Sequence, residues 1–534
     1  MTPEKIARGS TRWVLVPAVL LGLVALLLSV SHRFLPMNDA PSHIANAVIA
    51  HKLLAGDAFF ASHYRFDLVP VPYWATALLM LLLQKLFVPL IAWRIITGSY
   101  LVLLPLSLLV LWRSMQDPAA QAESQTPADP PPLLPLGVLT VFHWGYWMGE
   151  SNYLLGQPVA LFALALFCKS RKLGSASFVG FVLLAALSYL CHIYALTLLL
   201  IAATAWAFLA LCAHKVPQLS AHKLRLSHVL GLGWIYGLFA VAAYFVLFQH
   251  GSDANRGSLG FDLSLRRLVH MLIDPFDSPE PTPRALLLLT YGGLAAVFFF
   301  SHRQTLQALW AEKTDRLGRL AQLVEPALLF PGLTVLLAAY LGPVSILAAD
   351  GSQKEGEIAI RFVLGGFLLS VLSLKLPAGS GKNRPIVAVV ALTTIFAVAQ
   401  LACAHRLHTA VDDQLQRINA TLLAKIPPHS RVLPLLNKPQ AEWRDFLVHR
   451  IGNYVVLRDS YSPHIFAVRG QHALRHLPWG DQREVSNLQV TEEEWRYYDY
   501  VLLQSLSPPS PEQLAHLTHV ATQDDFQLWQ VRKN

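Results

Sequence analysis

The chain has 534 residues, 54% of them hydrophobic and 14% charged, with a formal charge of +9. An ordinary globular chain is about 25% charged, so a string of soluble domains is excluded. A polytopic membrane protein is expected instead, because apolar runs of about 20 residues recur along the chain. A short basic head (Lys5, Arg8, Arg12) precedes the first run, from Trp13 to about Val30. No small-x-small cleavage site follows it, so it reads as a retained signal anchor with the N-terminus in the cytoplasm. Further runs fall near 74–92, 95–112, 133–148, 153–168, 177–213, 228–248, 285–301, 323–345, 361–374 and 385–403, and 177–213 is long enough for two spans. Reading 74–92 and 95–112 as two spans puts the Trp93–Arg94 turn on the cytoplasmic side.

Basic residues cluster at Lys169–Arg171–Lys172, at Lys215, Lys223 and Arg225, at Arg303, Lys313, Arg316 and Arg319, and at Lys375, Lys382 and Arg384. The positive-inside rule places such clusters in the cytoplasm. The Lys169 cluster obeys it only if 133–148 is a short or re-entrant segment that returns Gly149–Asn152 to the outer face. The expected architecture is a polytopic α-helical membrane protein of about 11–12 transmembrane segments. The segments 34–73, 114–132, 249–284 and 346–360 then lie outside, and the basic excess becomes a topology signal with no nucleic-acid partner. Cys168, Cys191, Cys212 and Cys403 all lie in apolar runs, so no disulfide framework or CxxC metal site is expected.

The character changes after residue 403. Residues 404–534 hold fourteen basic and fourteen acidic residues and no spanning run. We divide the chain into a multi-spanning domain, 1–403, and a small extracytoplasmic α/β domain, 404–534. In the latter, Asp412–Leu423 has helical spacing and Arg431–Leu436 and Tyr498–Leu503 read as strands. Pro511–Leu517 reads as a helix and Phe526–Val531 as a last strand.

The first outer loop holds the most suggestive chemistry, Asn38-Asp39-Ala-Pro-Ser-His43. A carboxylate at the membrane surface can act as a general base or ligate a divalent cation, or it can simply cap the helix that Pro41 begins. Glu150 and Asn152 stand among Tyr146, Trp147 and Tyr153, a setting that suits a sugar ring and equally an interfacial aromatic belt. His192 falls where 177–213 must turn. Arg361 opens a span, where an arginine is costly unless paired; its partner is either a phosphate or Glu357 one turn earlier. Lys354 is a weaker phosphate candidate. Arg256, Arg266 and Arg267 add positive charge, although Arg266–Arg267 also fit the polar face of an interfacial helix over Leu263–Ile273. Lys85 and Glu325 are the intramembrane charges that a transporter would require.

This plan resembles the GT-C superfamily of integral-membrane glycosyltransferases: many spans, an acidic motif just after the first helix, and an extracytoplasmic C-terminal domain. Val69-Pro-Val-Pro-Tyr-Trp74 is similar to the Pro/aromatic start of their second helix, and Ile91-Ala-Trp-Arg94 to the Ala-x-Arg start of their third. The resemblance implies an enzyme of a cell membrane, the bacterial inner membrane on this reading. Its donor would be a polyprenyl-phosphate-linked sugar and its acceptor a glycan, lipid or protein. It implies inversion at the anomeric carbon with Asp39 as base, and substrate contacts from His43, Glu150, Asn152, His192, Lys354, Glu357 and Arg361. Asn38-Asp39 stands where many members carry two acids. That favours a single base and leaves a divalent cation such as Mg or Mn open. The competing readings are a transporter or flippase, and a non-catalytic component of a surface-polysaccharide assembly system.

Overall fold

The computed structural model describes residues 3–66, 72–115, 140–170, 172–212, 223–248, 258–273, 282–311, 316–343, 345–347, 353–355, 358, 360–375, 383–436, 449–465, 474–477, 496–504 and 515–533. Helix α1 (Pro3–Ser31) carries the apolar stretch Val14–Ser31. The first loop then folds into α2 (Ala40–Leu54), α3 (Ala58–His63) and β1 (Tyr64–Phe66). Pro41, in the first turn of α2, is preset for a helix start. Asp57 starts α3 by accepting from the Phe59 and Phe60 N–H groups at 3.0 and 3.2 Å.

The run at 74–92 does not form a span. Its helix α4 (Ala75–Leu83) has nine residues, about 14 Å of rise, against a hydrocarbon layer of about 30 Å. Leu86, Phe87 and Val88 in the turn that follows are exposed. A bilayer-facing turn of this kind looks like an uninterrupted apolar run in the sequence. Helix α5 (Pro89–Met115) therefore starts at the same end of the bundle as Asp39: the Arg94 guanidinium donates to the Val30 and His32 carbonyls at 2.9 and 3.2 Å. Arg94 is thus on the Asp39 face, opposite to the expectation. Because α5 runs antiparallel to α1, Met115 ends on the other face, where the 114–132 linker was not expected to begin; 116–139 lie outside the described residues.

Residues 140–148 form a 3-10 turn and the short α6 (Trp144–Met148) on the Asp39 face; with Met115 on the other face, the chain changes sides before Trp147, which a re-entrant 133–148 segment entered from the outer face did not anticipate. Next come α7 (Ser151–Lys169), α8 (Ala176–Cys191) and α9 (Ile193–Cys212), the last two broken at His192 as the sequence anticipates. They are followed by α10 (Leu226–Phe248), β2 (Ser258–Gly260), α11 (Leu265–Ile273), α12 (Thr282–Ala311) and α13 (Arg316–Leu323). After these lie α14 (Pro326–Leu341), β3 (Ser345–Leu347), β4 (Gln353–Glu355), α15 (Ile360–Leu372) and α16 (Asn383–Thr421). Among the described residues seven helices are long and apolar enough to cross a membrane, and α8, α14 and α15 are shorter apolar helices. Leu20, Leu27, Leu183, Phe208, Leu289, Phe300, Leu337 and Ile395 point outward, the surface that a lipid solvent selects. Small residues let α14 and α15 touch, since a Cβ on Gly332 would lie 2.5 Å from Ser370 Oγ.

The two charges that favoured a transporter do not lie at mid-span. Lys85 is exposed in the turn after α4. Glu325 caps α14 and pairs with Lys375 at 3.1 Å. Arg267 is buried, not on a polar face: it donates to the Ala339 and Gly342 carbonyls at 2.8 and 3.0 Å, closing the end of α14. Arg266 is exposed and donates to His270 at 3.4 Å, one turn on, so it lies on a polar side of α11 as expected, beside an apolar side on which Leu265, Leu268 and Val269 are exposed.

Helix α16 has 39 residues, about 58 Å. It runs unbroken through residue 403 to carry the C-terminal sheet. That sheet contains β5 (Val432–Leu436), β7 (Tyr500–Gln504), β8 (Leu517–Gln523) and β9 (Phe526–Val531) in the order β5-β7-β9-β8, with β5 and β7 parallel and the other pairs antiparallel. Leu517, expected to end a helix, opens β8; 505–514 lie outside the described residues. Strand β6 (Leu474–His476) pairs with β1 and ties the first loop to the C-terminal domain.

Beside β7, Asp499 accepts from Arg431 at 3.0 and 3.1 Å and pairs with Lys533 at 3.0 Å. Burial alone would raise this carboxyl, but those bonds outweigh it and hold it below the usual aspartate range. A lowered folded pKa stabilises above the unfolded value, about 3.9, and that stabilisation is lost as pH falls through the folded one. The unfolding midpoint is expected to fall more steeply between about pH 5 and pH 3 in the native chain than in Asp499→Asn, as read by thermal melts across pH.

Candidate active site

Asp39 is placed by its backbone before its side chain does anything. The Asn38 and Asp39 N–H groups donate to the Trp147 and Met148 carbonyls of α6, both at 2.9 Å, and the Asp39 carbonyl accepts from His43 N–H at 3.1 Å. Gly149 makes this fit possible. It has φ +78, and a Cβ there would meet the Ala40 and Asp39 nitrogens at 3.0 and 3.1 Å. The Asp39 side chain makes no capping bond to α2, which removes the bland reading of that residue. Its carboxylate instead lies 3.0 Å from Arg450 Nε, and Asn38 donates to the same Oδ1 at 3.1 Å.

Directly after Gly149, Glu150 meets Arg361 at the head of α15. Arg361 Nε lies 3.0 and 3.1 Å from the two Glu150 oxygens, and Nη2 lies 2.5 Å from Oε1. Only about a tenth of each side chain is exposed. The guanidinium also sits 4.9 Å from the Tyr194 ring centre and 5.7 Å from that of Trp144, a cation–π arrangement. Tyr153, one turn into α7, donates to the Arg361 carbonyl and accepts from Gln157. Among the described residues Arg361 pairs with Glu150; Glu357, one of its two expected partners, lies outside them. The Glu150 carboxylate comes from 211 positions away.

His192 closes the same cluster from the α8–α9 break, between Tyr73 at 4.6 Å, Tyr194 at 4.9 Å and Tyr153 at 5.7 Å. Burial first, then the charges of Arg361 and His43, hold its imidazole well below the usual range. His43 stacks on Trp93 at 5.8 Å. Asn152 is spent on structure, its Oδ1 accepting from Thr76 N–H at 2.9 Å and starting α4. Close helix packing supports the cluster from beneath: a Cβ on Gly156 would lie 2.6 Å from that of Ala195.

Of the residues singled out in the sequence, Asp39, His43, Glu150, Asn152, His192 and Arg361 gather at one end of the bundle. Lys354 lies on β4, in the small sheet β2-β3-β4. Glu357 and Arg256 lie outside the described residues. Sequence reasoning missed Arg450, Trp144 and Tyr194. For a divalent cation, no group of three or more His, Cys, Asp or Glu among the described residues could hold one. With a guanidinium against Asp39, the residues present do not fit a metal at that carboxylate.

No family model and no curated protein matches the chain. Among solved structures it is similar to ArnT from Cupriavidus metallidurans bound to undecaprenyl phosphate, at 12% identity over 97% of this chain and 98% of that one, with a TM-score of 0.47. It is similar also to ArnT from the same organism in the apo state, at 12% identity over 98% of each chain, with a TM-score of 0.48.

Proposed function

We propose that the protein is a membrane glycosyltransferase that moves a sugar from a polyprenyl-phosphate donor to a glycan, lipid or protein hydroxyl on the extracytoplasmic face. The observation that carries this reading is that Asp39, from the first loop, is bonded to the Met148 carbonyl two residues before Glu150, which pairs with Arg361 among aromatic rings. The acceptor oxygen attacks the anomeric carbon while the bond to phosphate breaks from the other side. The bonding pair leaves on the phosphate oxygen, and the acceptor proton goes to the Asp39 carboxylate. Arg361 is the cation placed to stabilise the departing phosphate, and Glu150 holds it in aim. Trp144 and Tyr194 offer rings to a sugar face. Charge supports an orientation with the N-terminus in the cytoplasm, since Lys169 ends α7 at the end away from Asp39.

The test is transfer of labelled sugar by purified protein from a panel of polyprenyl-phosphate donors, with and without chelator. Transfer that survives chelation is the expected result. A folded protein that uses no donor overturns the reading in favour of a transporter or a non-catalytic assembly component.

Gly149→Ala gives a second check. The left-handed backbone costs about 1–2 kcal/mol for an L side chain, and the added methyl presses on the Asp39 nitrogen. Because a misplacement of about 1 Å costs about 100-fold in rate, turnover is expected to fall by about that factor in a steady-state assay while the fold survives.

A further inference from the structure

We propose that the C-terminal domain arms the base: Arg450 is a positioning residue that sets both the ionisation and the aim of Asp39. This deepens the glycosyltransferase reading and rests on it.

Arg450 is not a loose surface arginine. Its side chain and that of Asp39 are each 16% exposed. It stands on the 3-10 helix His449–Arg458, which mates with α2 at three points. Arg450 meets Asp39, Asn453 Nδ2 donates to Ser42 Oγ at 2.8 Å, and Asp459 pairs with Lys52 at 2.7 Å. The first two contacts are three residues apart on both segments, so one register serves both. Asn453 and Ser42 are fully buried, and Asn453 is further fixed by Ser462 Oγ at 2.8 Å and by the His464 carbonyl at 3.2 Å. The clamp therefore has one geometry, and Arg450 is delivered by it.

The charges around Asp39 explain why the site needs this arginine. Glu150 follows directly on Gly149, His43 is one turn along α2, His192 lies at the α8–α9 break, Arg361 heads α15, and His464 lies behind Asn453. Arg361 is paired with Glu150, and Arg450 is the cation 3.0 Å from the Asp39 carboxylate. A neighbouring cation lowers a carboxyl pKa by about 1–3, and a like charge raises it. Arg450 is thus the cation that keeps Asp39 deprotonated and able to accept a proton, and an undocked C-terminal domain would leave the site without a competent base.

The experiment uses the full chain in detergent and reads the pH midpoint for modification of Asp39 by a hydrophobic carbodiimide, which reacts with the protonated carboxyl. Labelling is followed by mass spectrometry. In Arg450→Met the midpoint is expected to rise by about one pH unit or more, and the acid limb of the transfer pH–rate profile to rise with it. Arg450→Lys keeps the charge and holds the midpoint near the native one. Asp459→Asn breaks only the outer contact of the same clamp and leaves the midpoint in place. Should Arg450→Met fail to fold, Arg450→Gln removes the charge with a polar side chain and gives the same reading. An unmoved midpoint in the uncharged variant overturns the proposal, as does an equal rise in Asp459→Asn. A midpoint that moves as expected in a chain that transfers no sugar supports the coupling and overturns the glycosyltransferase reading, so the two failures are distinct.

Discussion

Asp39→Asn is expected to lower kcat by about 100- to 10,000-fold, the usual contribution of a general base, with the KM for the donor changed little. The split follows from where the residue stands. Its backbone N–H and C=O are bonded to Met148 and His43 whatever the side chain is, so the amide does not release α2 or the α6 turn. Asparagine can still accept from Asn38 but cannot take a proton. A loss in kcat and kcat/KM together, with KM held, marks an interaction made only in the transition state. The measurement is steady-state transfer beside a thermal melt of the same preparation. Native turnover in the stable variant would return the site to a binding role.

Much of this site was legible because polar residues inside apolar runs are conspicuous. Glu150, His192 and Arg361 each interrupt hydrophobic sequence, and Asp39 directly follows the first span, so burial costs alone single them out. Arg450 carried no such signal. It lies in a mixed stretch, Phe446 to Leu457, between Arg444 and Arg458 in a domain where charged residues are ordinary, and only the docking of 449–465 on α2 gives it a meaning. Partner choice was equally hidden: spacing proposes Glu357 for Arg361, since helix neighbours are visible in sequence, whereas Glu150 reaches it only after α7 and α15 pack. The short α4 was misjudged for a related reason. Hydropathy averages over Gln84 and Lys85, and the exposed Leu86–Val88 turn scores like a bilayer crossing.

The Glu150–Arg361 pair yields the largest stability effect and also separates structure from catalysis. Arg361→Met leaves a carboxylate that is about nine-tenths buried with its charge uncompensated, and breaking such a pair typically costs about 3–5 kcal/mol. Tyr194 and Trp144 lose their cation at the same time. The bond from Tyr153 to the residue-361 carbonyl survives, because it is made to backbone. Adding Glu150→Gln removes the stranded charge, so the double variant Arg361→Met/Glu150→Gln is expected to recover most of the unfolding midpoint, since a neutral replacement of a buried pair is often tolerated. Its transfer activity is expected to stay low, because no guanidinium remains to meet the phosphate. The two readouts must therefore part company in the double variant. If activity returns together with stability, the pair is a packing device and the phosphate is held elsewhere.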